Sequence, residues 1–411
     1  MKRVVITGAG VITPVGNGVE TFYRNLTAGV CGIGPITRFD TAGYKARLAA
    51  EVKDFDPEAF GIERAQARRT DLFAQYAMAA AAQAVADSGI QGSVAPERLG
   101  VYVSSGIGGM QTFVQETEKL LNRGPGRVSP FFIPMMIGNM AAGNIAIRYN
   151  AQGPCLPVVT ACATSTHAIG EAFRAVKYGH ADAVIAGGAE ATILPLAVAG
   201  FSNMKALSES EDPDAASLPF DARRAGFVMG EGSGIVVLEE YEHALSRGAR
   251  VYAEVCGYGN TCDAYHITAP QEEAVGASNA FRLALEEALW RGDERLYINA
   301  HGTGTPMNDR VETLAIKKAL GEDAARAALI SSTKSMTGHI LGAAGAVEAV
   351  ASAMTLREGV VPPTIHLERP DPACDLNYVP NDAVRADVRL ALSSSLGFGG
   401  HNAVIALRKV D

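Results

Sequence analysis

The stretch Val158-Val159-Thr160-Ala161-Cys162-Ala163-Thr164-Ser165-Thr166-His167 joins an apolar segment to an Ala-rich periodic one. Residues 156–159 predict a strand, and apolar residues at helical spacing predict a helix over 168–178. Cys162 then lies where a helix begins, and the unpaired N–H groups and dipole of such an end favour a thiolate. We interpret Cys162 as a nucleophile, although a free cysteine is more often a small buried hydrophobe.

Two histidines in Gly-rich loops supply the partners that a nucleophilic cysteine needs. His301 closes a predicted strand at 296–300, and His339 ends the run Lys334-Ser335-Met336-Thr337-Gly338-His339. A satisfied core histidine is the alternative for His301. Lys334 and Glu348 form a second candidate pair, which either orders the electrostatics of the site or is only a buried ion pair.

The two acids that follow His301 have a structural explanation. Asp309 with Glu312 three residues later fits the N-cap and reciprocal carboxylate of a capping box. We therefore expect a helix to begin near residue 309 and assign neither acid a chemical step.

The overall composition limits the classes of protein to which the chain can belong. The 411 residues are 48% hydrophobic and 19% charged, which predicts a folded core in two or three domains or in one duplicated unit. The net charge of −8 argues against a broad nucleic-acid or anionic-membrane surface. The six cysteines lack metal-ligand spacing, and no run of roughly 18 apolar residues is present. We expect no signal peptide, since Met1 to Gly8 read as the entry to a strand. We expect a cytoplasmic protein with reduced thiols and no metal site.

Strand-like runs alternate with helical ones, as in an α/β sheet with helices on its faces. Predicted strands cover 3–7, 99–103, 183–186 and 235–238, and predicted helices cover 19–26 and 65–88. Gly8-Ala9-Gly10 suggests a dinucleotide fingerprint, but the late third glycine and Pro14 break the required spacing. A tight turn is expected there instead.

The pattern of strand, reactive residue and Ala/Gly-rich helix around Cys162 occurs a second time. A strand at 329–330, a loop with His339 and a helix over 340–354 repeat it. We expect two pseudo-duplicated halves, residues 1–250 with the nucleophile and residues 251–411 with both histidines, whose reactive ends meet at a shared centre.

Four motifs stand in order along the chain: Thr160-Ala161-Cys162, His301-Gly302-Thr303-Gly304-Thr305, Lys334-Ser335-Met336-Thr337-Gly338-His339 and Gly397-Phe398-Gly399-Gly400-His401-Asn402. Together they resemble the β-ketoacyl-acyl-carrier-protein synthases, specifically the synthase II type of dissociated bacterial fatty acid synthesis. The likeness covers essentially the whole chain. It implies a thiolase-like five-layer α-β-α-β-α fold, a homodimer, and no cofactor beyond the phosphopantetheine that arrives on acyl carrier protein.

The resemblance implies a decarboxylative condensation. Cys162 takes an acyl chain from acyl carrier protein as a thioester, malonyl-acyl carrier protein loses CO2, and the carbanion attacks the acyl-enzyme to give a 3-oxoacyl chain. His301 and His339 match the donors to the enolate oxygen, and the N–H groups of Cys162 and Phe398 match a second oxyanion hole. Lys334, held by Glu348, matches a residue that orders the histidines. Phe398 between glycines resembles a gate.

Further positions follow from the resemblance alone. Three match the phosphopantetheine channel: Thr268, Thr303 and Thr305. Three match the acyl tunnel: Ile107, Phe201 and, across the dimer, Phe132. Four match a docking surface for the acidic carrier protein: Arg64, Arg68, Arg69 and Lys205. Plain core for the tunnel residues and a solvated basic face for the arginines are the alternatives.

The chain departs from the family pattern at Ser394, where Asn is usual, at Leu396, where Phe is usual, and at Ala225, where Asp is common. These departures leave the preferred chain length open. Cys374 lies outside the loop where a thiolase carries its second cysteine, and the second histidine stands where a synthase III carries Asn. A polyketide ketosynthase shares the reactive residues and is the alternative. A chain-length-factor-like partner subunit typically lacks the nucleophile.

Overall fold

A mixed β-sheet forms the frame of the protein in the computed structural model, which describes residues 1–410. The strands of that range are β1 (Val4–Ile12), β2 (Gly34–Pro35), β3 (Leu48–Ala49), β4 (Leu99–Ser104), β5 (Ala183–Glu190), β6 (Gly232–Glu240), β7 (Ala253–Cys262), β8 (Leu296–Asn299), β9 (Leu329–Ser331), β10 (Val360–Val361), β11 (Val384–Arg385), β12 (Leu390–Gly397) and β13 (His401–Arg408).

Helices separate most of these strands, as the sequence predicts for an α/β protein. They are α1 (Val19–Thr27), α2 (Arg64–Ala67), α3 (Leu72–Ser88), α4 (Met110–Arg123), α5 (Phe132–Met136), α6 (Met140–Tyr149), α7 (Thr164–Lys177), α8 (Pro195–Asn203), α9 (Tyr241–Ser246), α10 (Val275–Glu287), α11 (Pro306–Leu320), α12 (Glu322–Ala327), α13 (Lys334–Thr337) and α14 (Ala344–Glu358). No helix of the described residues is long and apolar enough to cross a membrane.

The large sheet contains the same strand order twice. Its order is β4-β5-β6-β1-β7-β13-β12-β8-β9, with β4–β5, β12–β8 and β8–β9 parallel and the other neighbours antiparallel. Strands β4, β5, β6 and β1 follow one another as β8, β12, β13 and β7 do. A parallel bridge from Cys155 to Val101 of β4 stands where β9 pairs with β8.

Helices fill three layers around the two runs of strands. Helix α3 packs on β1, β5 and β6, and α10 packs on β7 and β13, so these two helices cover the outer faces. Helices α7 and α14 contact strands of both runs and lie between them, and residues 344–356 of α14 are all buried. The predicted order of layers, α-β-α-β-α, is confirmed.

The predictions of one continuous first long helix and of a strand before Cys162 were both wrong. The helix predicted over 65–88 is broken into α2 and α3, because the Asp71 carboxylate accepts from Phe73 N at 3.4 Å and starts α3. The other oxygen of Asp71 accepts from the amide and hydroxyl of Thr112. Residues 156–159 form no strand, since only Cys155 bridges to the sheet.

The expected turn at Gly8-Ala9-Gly10 and the expected capping box at Asp309 were also wrong. Both glycines lie inside β1, where a Cβ on Gly10 would come within 2.0 Å of the Ala80 carbonyl oxygen of α3. The missing side chains let helix and strand touch. Helix α11 begins at Pro306 with Thr305 as its N-cap, so Asp309 and Glu312 lie inside it.

Candidate active site

The chain makes a sharp elbow at Cys162. Ala161, Cys162 and Ala163 form one turn of 3₁₀-helix directly before α7, and Ala161 has a φ of +49°, which is a strained value for a residue with a side chain. The Thr164 hydroxyl accepts from Thr160 N at 2.9 Å, which closes the elbow from the other side. The elbow holds Cys162 at the entrance to α7 and close to the shared centre.

The second run of strands contains a matching elbow. Leu341, Gly342 and Ala343 form a 3₁₀ turn before α14, and Leu341 has a φ of +45°. Gly342 therefore stands where Cys162 stands in the first half. A Cβ at Gly342 would lie 2.4 Å from Gly106 N, so the second elbow has no room for a side chain.

Burial dominates the acid–base character of Cys162. It raises the thiol pKa to about 12, although the positive charge of Lys334 and the amide N–H groups of Phe398 and of Cys162 itself lower it. The carboxylate of Glu190 adds to the rise. The expectation of a resting thiolate was therefore wrong, because desolvation of the anion outweighs the helix end.

The two predicted histidines meet in the structure. The rings of His301 and His339 lie edge to face with centroids 5.2 Å apart, and both are buried. Burial, with a contribution from the Lys334 charge, holds the pKa of both imidazoles well below the ordinary value. Both rings are therefore neutral at physiological pH, so each carries one N–H donor and one acceptor nitrogen.

Backbone contacts fix where His339 stands. Its amide donates to the Val228 carbonyl at 2.7 Å, and its carbonyl accepts from Gly230 N at 2.9 Å. The Phe227 ring packs against the imidazole with centroids 5.2 Å apart. The segment from Phe227 to Gly230 therefore acts as a cradle for this histidine.

Glu312 fixes His301 in a different way. The two carboxylate oxygens accept from His301 N and Gly302 N, each at 2.7 Å, and the Ser394 hydroxyl donates to the same carboxylate at 2.8 Å. Burial raises the pKa of Glu312 to about 7. This carboxylate, read in the sequence as part of a helix cap, instead anchors the loop that presents His301.

Lys334 and Glu348 form the predicted ion pair. The Lys334 ammonium donates to a Glu348 carboxylate oxygen, and both side chains are almost fully buried. The pair spans from α13 to the central helix α14. Since the Lys334 charge acts on Cys162, His301 and His339 alike, it contributes to the electrostatics of the site and is not an isolated ion pair.

One cavity of about 370 Å³ contains most of the predicted residues. Its wall includes Cys162, Lys205, Phe201, Thr268, Thr303, Thr305, His301, His339 and Phe398. The Thr303 and Thr305 hydroxyls, on the wall of this cavity, hydrogen-bond each other at 3.0 Å. The cavity therefore brings a thiol, two imidazoles and a few hydroxyl groups together on a mostly apolar wall.

Other predicted positions lie outside this cavity. Ile107 and Phe132 do not line it, and the Phe132 ring lies tilted against the Phe113 ring with centroids 6.5 Å apart. Arg64 pairs with Glu58, and the Arg69 guanidinium lies over the Phe131 ring. Arg68 follows as the C-cap of α2.

The cavity wall and its support include residues to which the sequence pattern assigned no role. Asn402 and Asp263 line the cavity and share a hydrogen bond of 2.8 Å. Glu190, fully buried, accepts from the Ser105 hydroxyl and three backbone amides and so links the loop after β4 to the second elbow. The one feature of the sequence that could have indicated a role for Glu190 is its position at the end of a buried strand.

The structure shows where the residues that differ from the family pattern lie. Ser394 takes part in the Glu312 anchor, and Leu396 lines the cavity. Ala225 lies in a separate surface depression that shares Lys205 with the cavity. Two departures therefore touch the site itself.

Comparison with known proteins agrees with this architecture. The layered fold with its two repeated runs of strands is that of the thiolase-like proteins. The family models "Beta-ketoacyl synthase, N-terminal domain" and "Beta-ketoacyl synthase, C-terminal domain" match residues 1–244 and 252–368. The chain belongs to the β-ketoacyl synthase family.

Individual relatives cover the chain from end to end. A protein of Staphylococcus aureus (strain COL) named 3-oxoacyl-[acyl-carrier-protein] synthase 2 is 51% identical, over 100% of this chain and 99% of its own. One of Synechocystis with the same name is 52% identical, over 99% and 98%. A type II polyketide ketosynthase, solved with its acyl-carrier protein and a hexaketide, has a TM-score of 0.90, 35% identity and full coverage of both chains. The resemblance read from the motifs is confirmed.

Proposed function

We propose that this chain is an elongating condensing enzyme of type II fatty acid synthesis. It joins an acyl group held on Cys162 to malonyl-acyl carrier protein, and the products are 3-oxoacyl-acyl carrier protein, CO2 and free acyl carrier protein. The observation that carries the proposal is the single cavity in which a buried thiol meets two neutral imidazoles. The names of the full-length relatives support it.

Acyl transfer is the first step. The Cys162 sulfur attacks the thioester carbonyl of acyl-acyl carrier protein, and the N–H groups of Cys162 and Phe398 donate to the oxygen that becomes negative. The pantetheine thiol then leaves and takes up the proton that Cys162 loses. Because the resting thiol has a pKa of about 12, proton loss accompanies attack instead of preceding it.

Decarboxylation and condensation follow. As malonyl-acyl carrier protein loses CO2, negative charge develops on its thioester oxygen, and the N–H groups of His301 and His339 donate to that oxygen. Neutral imidazoles suit this role, because each keeps an acceptor nitrogen and donates without titrating. The enolate carbon attacks the acyl carbonyl, and Cys162 leaves and recovers a proton. Lys334, paired with Glu348, is the positioning residue that maintains positive potential.

The residues that line the cavity suggest where each part of the substrates binds. We assign the threonines of the wall, Thr268, Thr303 and Thr305, to the phosphopantetheine arm and Phe201 to the acyl chain. Phe398 is half-buried and precedes Gly399 and Gly400, whose φ values of +87° and +76° favour glycine. This backbone supports a gate that moves as the acyl and malonyl groups alternate. The chain needs no cofactor of its own.

We also propose a homodimer. Several large apolar side chains near the β4 edge are exposed, among them Leu156 at 52% and Val159 at 61%, with Ile133 and Ile147 of the adjoining helices. Exposed apolar patches mark interaction surfaces, and a second copy of the chain is the proposed occupant of this one. The partner copy would cover Ile107 and bring its own Phe132 to the acyl end of the cavity.

The carrier protein is the proposed partner of the basic positions. Arg64, Arg68, Arg69 and Lys205 provide local positive charge on a chain with a net charge of −8, so an acidic partner is steered to them. We further propose that the two halves divide at residues 1–250 and 251–411, supported by the repeated strand order, and that the protein acts in the cytoplasm.

A polyketide ketosynthase is the second candidate, because a full-length neighbour of that kind has a TM-score of 0.90. One experiment addresses both functions. The chain is incubated with acyl carrier proteins loaded with a series of saturated acyl chains and with polyketide-like chains, and adducts are located by mass spectrometry. We expect saturated acyl groups on Cys162, and none in Cys162→Ala.

The control for this experiment is Cys374→Ala, which removes another buried thiol and leaves the adduct intact. Absence of any adduct would overturn the enzymatic proposal. Preference for polyketide chains would move the enzyme to the second candidate, and condensation by Cys162→Ala would refute the thioester mechanism.

A further inference from the structure

A second group of reactive side chains lies away from the cavity. Cys31, Asp214 and His366 come from three distant segments, and one ligand atom from each lies within 4.8 Å of the others. Cys31 follows α1, Asp214 belongs to the 3₁₀ turn Pro213–Ala215, and His366 stands in the loop between β10 and β11. A thiol, an imidazole and a carboxylate are the three side-chain types that bind Zn²⁺.

The geometry resembles a metal site more than a hydrogen-bonded group. His366 Nε2 lies 3.7 Å from an Asp214 carboxylate oxygen, which is too long for a hydrogen bond. Zinc–ligand bonds of about 2.0–2.3 Å place tetrahedral ligand atoms about 3.3–3.8 Å apart. That nitrogen is buried and has no hydrogen-bond partner among the described residues, an arrangement that requires an explanation.

Exposure and charge allow an ion to enter. The Asp214 carboxylate is 71% exposed, so it can move inward to close the remaining distance, whereas the His366 ring is only 22% exposed. Burial and the charge of Asp214 raise the pKa of Cys31, and the Ile33 amide and the Lys53 charge lower it. The nearby Arg223 guanidinium is paired with Asp221 and Glu368 and so adds little repulsion.

We propose that Cys31, Asp214 and His366 bind a zinc ion, with a water molecule as the fourth ligand. On binding, a bond forms between zinc and the Cys31 sulfur, and the thiol proton goes to solvent. The imidazole and carboxylate donate lone pairs without a change of oxidation state. Hard cations such as Mg²⁺ are disfavoured, since only one of the three ligands is an oxygen.

The three ligand segments surround α13, the short helix that carries Lys334. Gly32 N donates to the Met336 carbonyl at 2.8 Å, and Ile365 N donates to the Ser335 hydroxyl at 3.1 Å. The Ser217 hydroxyl donates to the Lys334 carbonyl at 2.9 Å. A bound ion would therefore fasten three segments to one another behind the helix that positions the active-site lysine.

Cobalt is a suitable probe, because Co²⁺ replaces Zn²⁺ and its spectrum reports tetrahedral geometry and thiolate ligation. The full-length, reduced and metal-stripped chain is titrated with Co²⁺ and then with Zn²⁺. We expect one equivalent of tetrahedral Co²⁺ with a thiolate charge-transfer band, which Zn²⁺ abolishes. Cys31→Ser removes the band, and His366→Gln weakens Co²⁺ binding at least tenfold.

The chain contains another thiol near histidines, so the control is Cys162→Ala, in which the spectrum should be unchanged. Cys262→Ser, at an exposed cysteine, is the second control. If Cys31→Ser does not fold, Asp214→Asn replaces it, since a 71% exposed side chain tolerates substitution and the affinity should still fall tenfold. Absence of saturable binding, a band retained without Cys31, or a band lost in Cys162→Ala would overturn the proposal.

Discussion

Glu190→Gln tests how the site is held together. One Glu190 oxygen accepts from Gly106 N at 3.0 Å and Gly342 N at 3.1 Å, and the other accepts from the Ser105 hydroxyl at 2.8 Å and Ile107 N at 3.3 Å. A glutamine amide keeps one acceptor oxygen. We expect that oxygen to retain the two shorter amide contacts, so the NH₂ group faces Ser105 and Ile107.

The structural cost of this replacement is small. The Ser105 hydroxyl can turn and accept from the new NH₂ group, but Ile107 N cannot and loses its partner. One buried amide without a partner costs about 1–3 kcal/mol. At pH 5, where the native carboxyl is largely protonated, the variant should therefore be less stable by about 2 kcal/mol.

The difference in unfolding free energy between Glu190→Gln and the native chain depends on pH. Burial raises the pKa of Glu190 from 4.5 to about 7, so the stability contributed by this group is complete below pH 4.5 and is lost as the pH rises through 7. The loss is up to about 3 kcal/mol. Glutamine does not titrate, so at pH 8 we expect Glu190→Gln to be as stable as the native chain or slightly more stable.

The assay combines urea unfolding with alkylation of the reactive thiol. Free energies of unfolding are measured at pH 5 and pH 8 at one protein concentration. Because the Glu190 charge raises the pKa of Cys162, its removal should shift the pH profile of iodoacetamide labelling at Cys162 to lower pH. Mass spectrometry follows the labelled peptide.

Glu239→Gln is the matched control. This carboxylate is also buried, but hydrogen bonds from Arg247, Thr7 and His243 outweigh burial and lower its pKa. The cost of its replacement should therefore grow with pH, and Cys162 labelling should not change. A Glu190→Gln cost that stays constant or grows towards pH 8, or an unchanged labelling profile, would refute the reasoning.

Three further predictions concern the stability of the fold. Gly10→Val should lower the free energy of unfolding by about 3 kcal/mol, since α3 must move off β1; an unchanged urea midpoint contradicts this. Glu348→Gln leaves Lys334 buried without a counter-charge and should cost about 3–5 kcal/mol in urea unfolding, whereas replacing both by Met should recover most of it. Asp182→Asn should cost about 1 kcal/mol at pH 7, because an Arg98 hydrogen bond lowers the Asp182 pKa from 3.8 to about 2; the difference should shrink as the pH falls from 4 through 2.

The sequence predicted the reactive residues better than it predicted the residues that hold them in place. Cys162, His301 and His339 are marked by residue type and by Gly-rich context, and folding brings all three to one cavity. The roles of Glu190 and Glu312 depend on which backbone amides face them across the fold. A single sequence does not contain that information, and Glu312 fitted a helix-cap pattern equally well.

Local errors have a common physical cause. The break at Asp71 depends on Thr112, which belongs to α4, and the continuation of β1 through Gly8 and Gly10 depends on the closeness of α3. In each case a distant element overrides the local preference. The same holds for the pKa of Cys162, because the depth of burial is a property of the whole fold.

The position of α7 and α14 at the centre has a consequence for the independence of the two halves. Both helices are covered on one side by one run of strands and on the other side by the second run. A protein made of the first run alone would expose one side of α7 to water, and a second copy would be needed to cover it. Each half of the fold therefore depends on the other half to keep its central helix out of water.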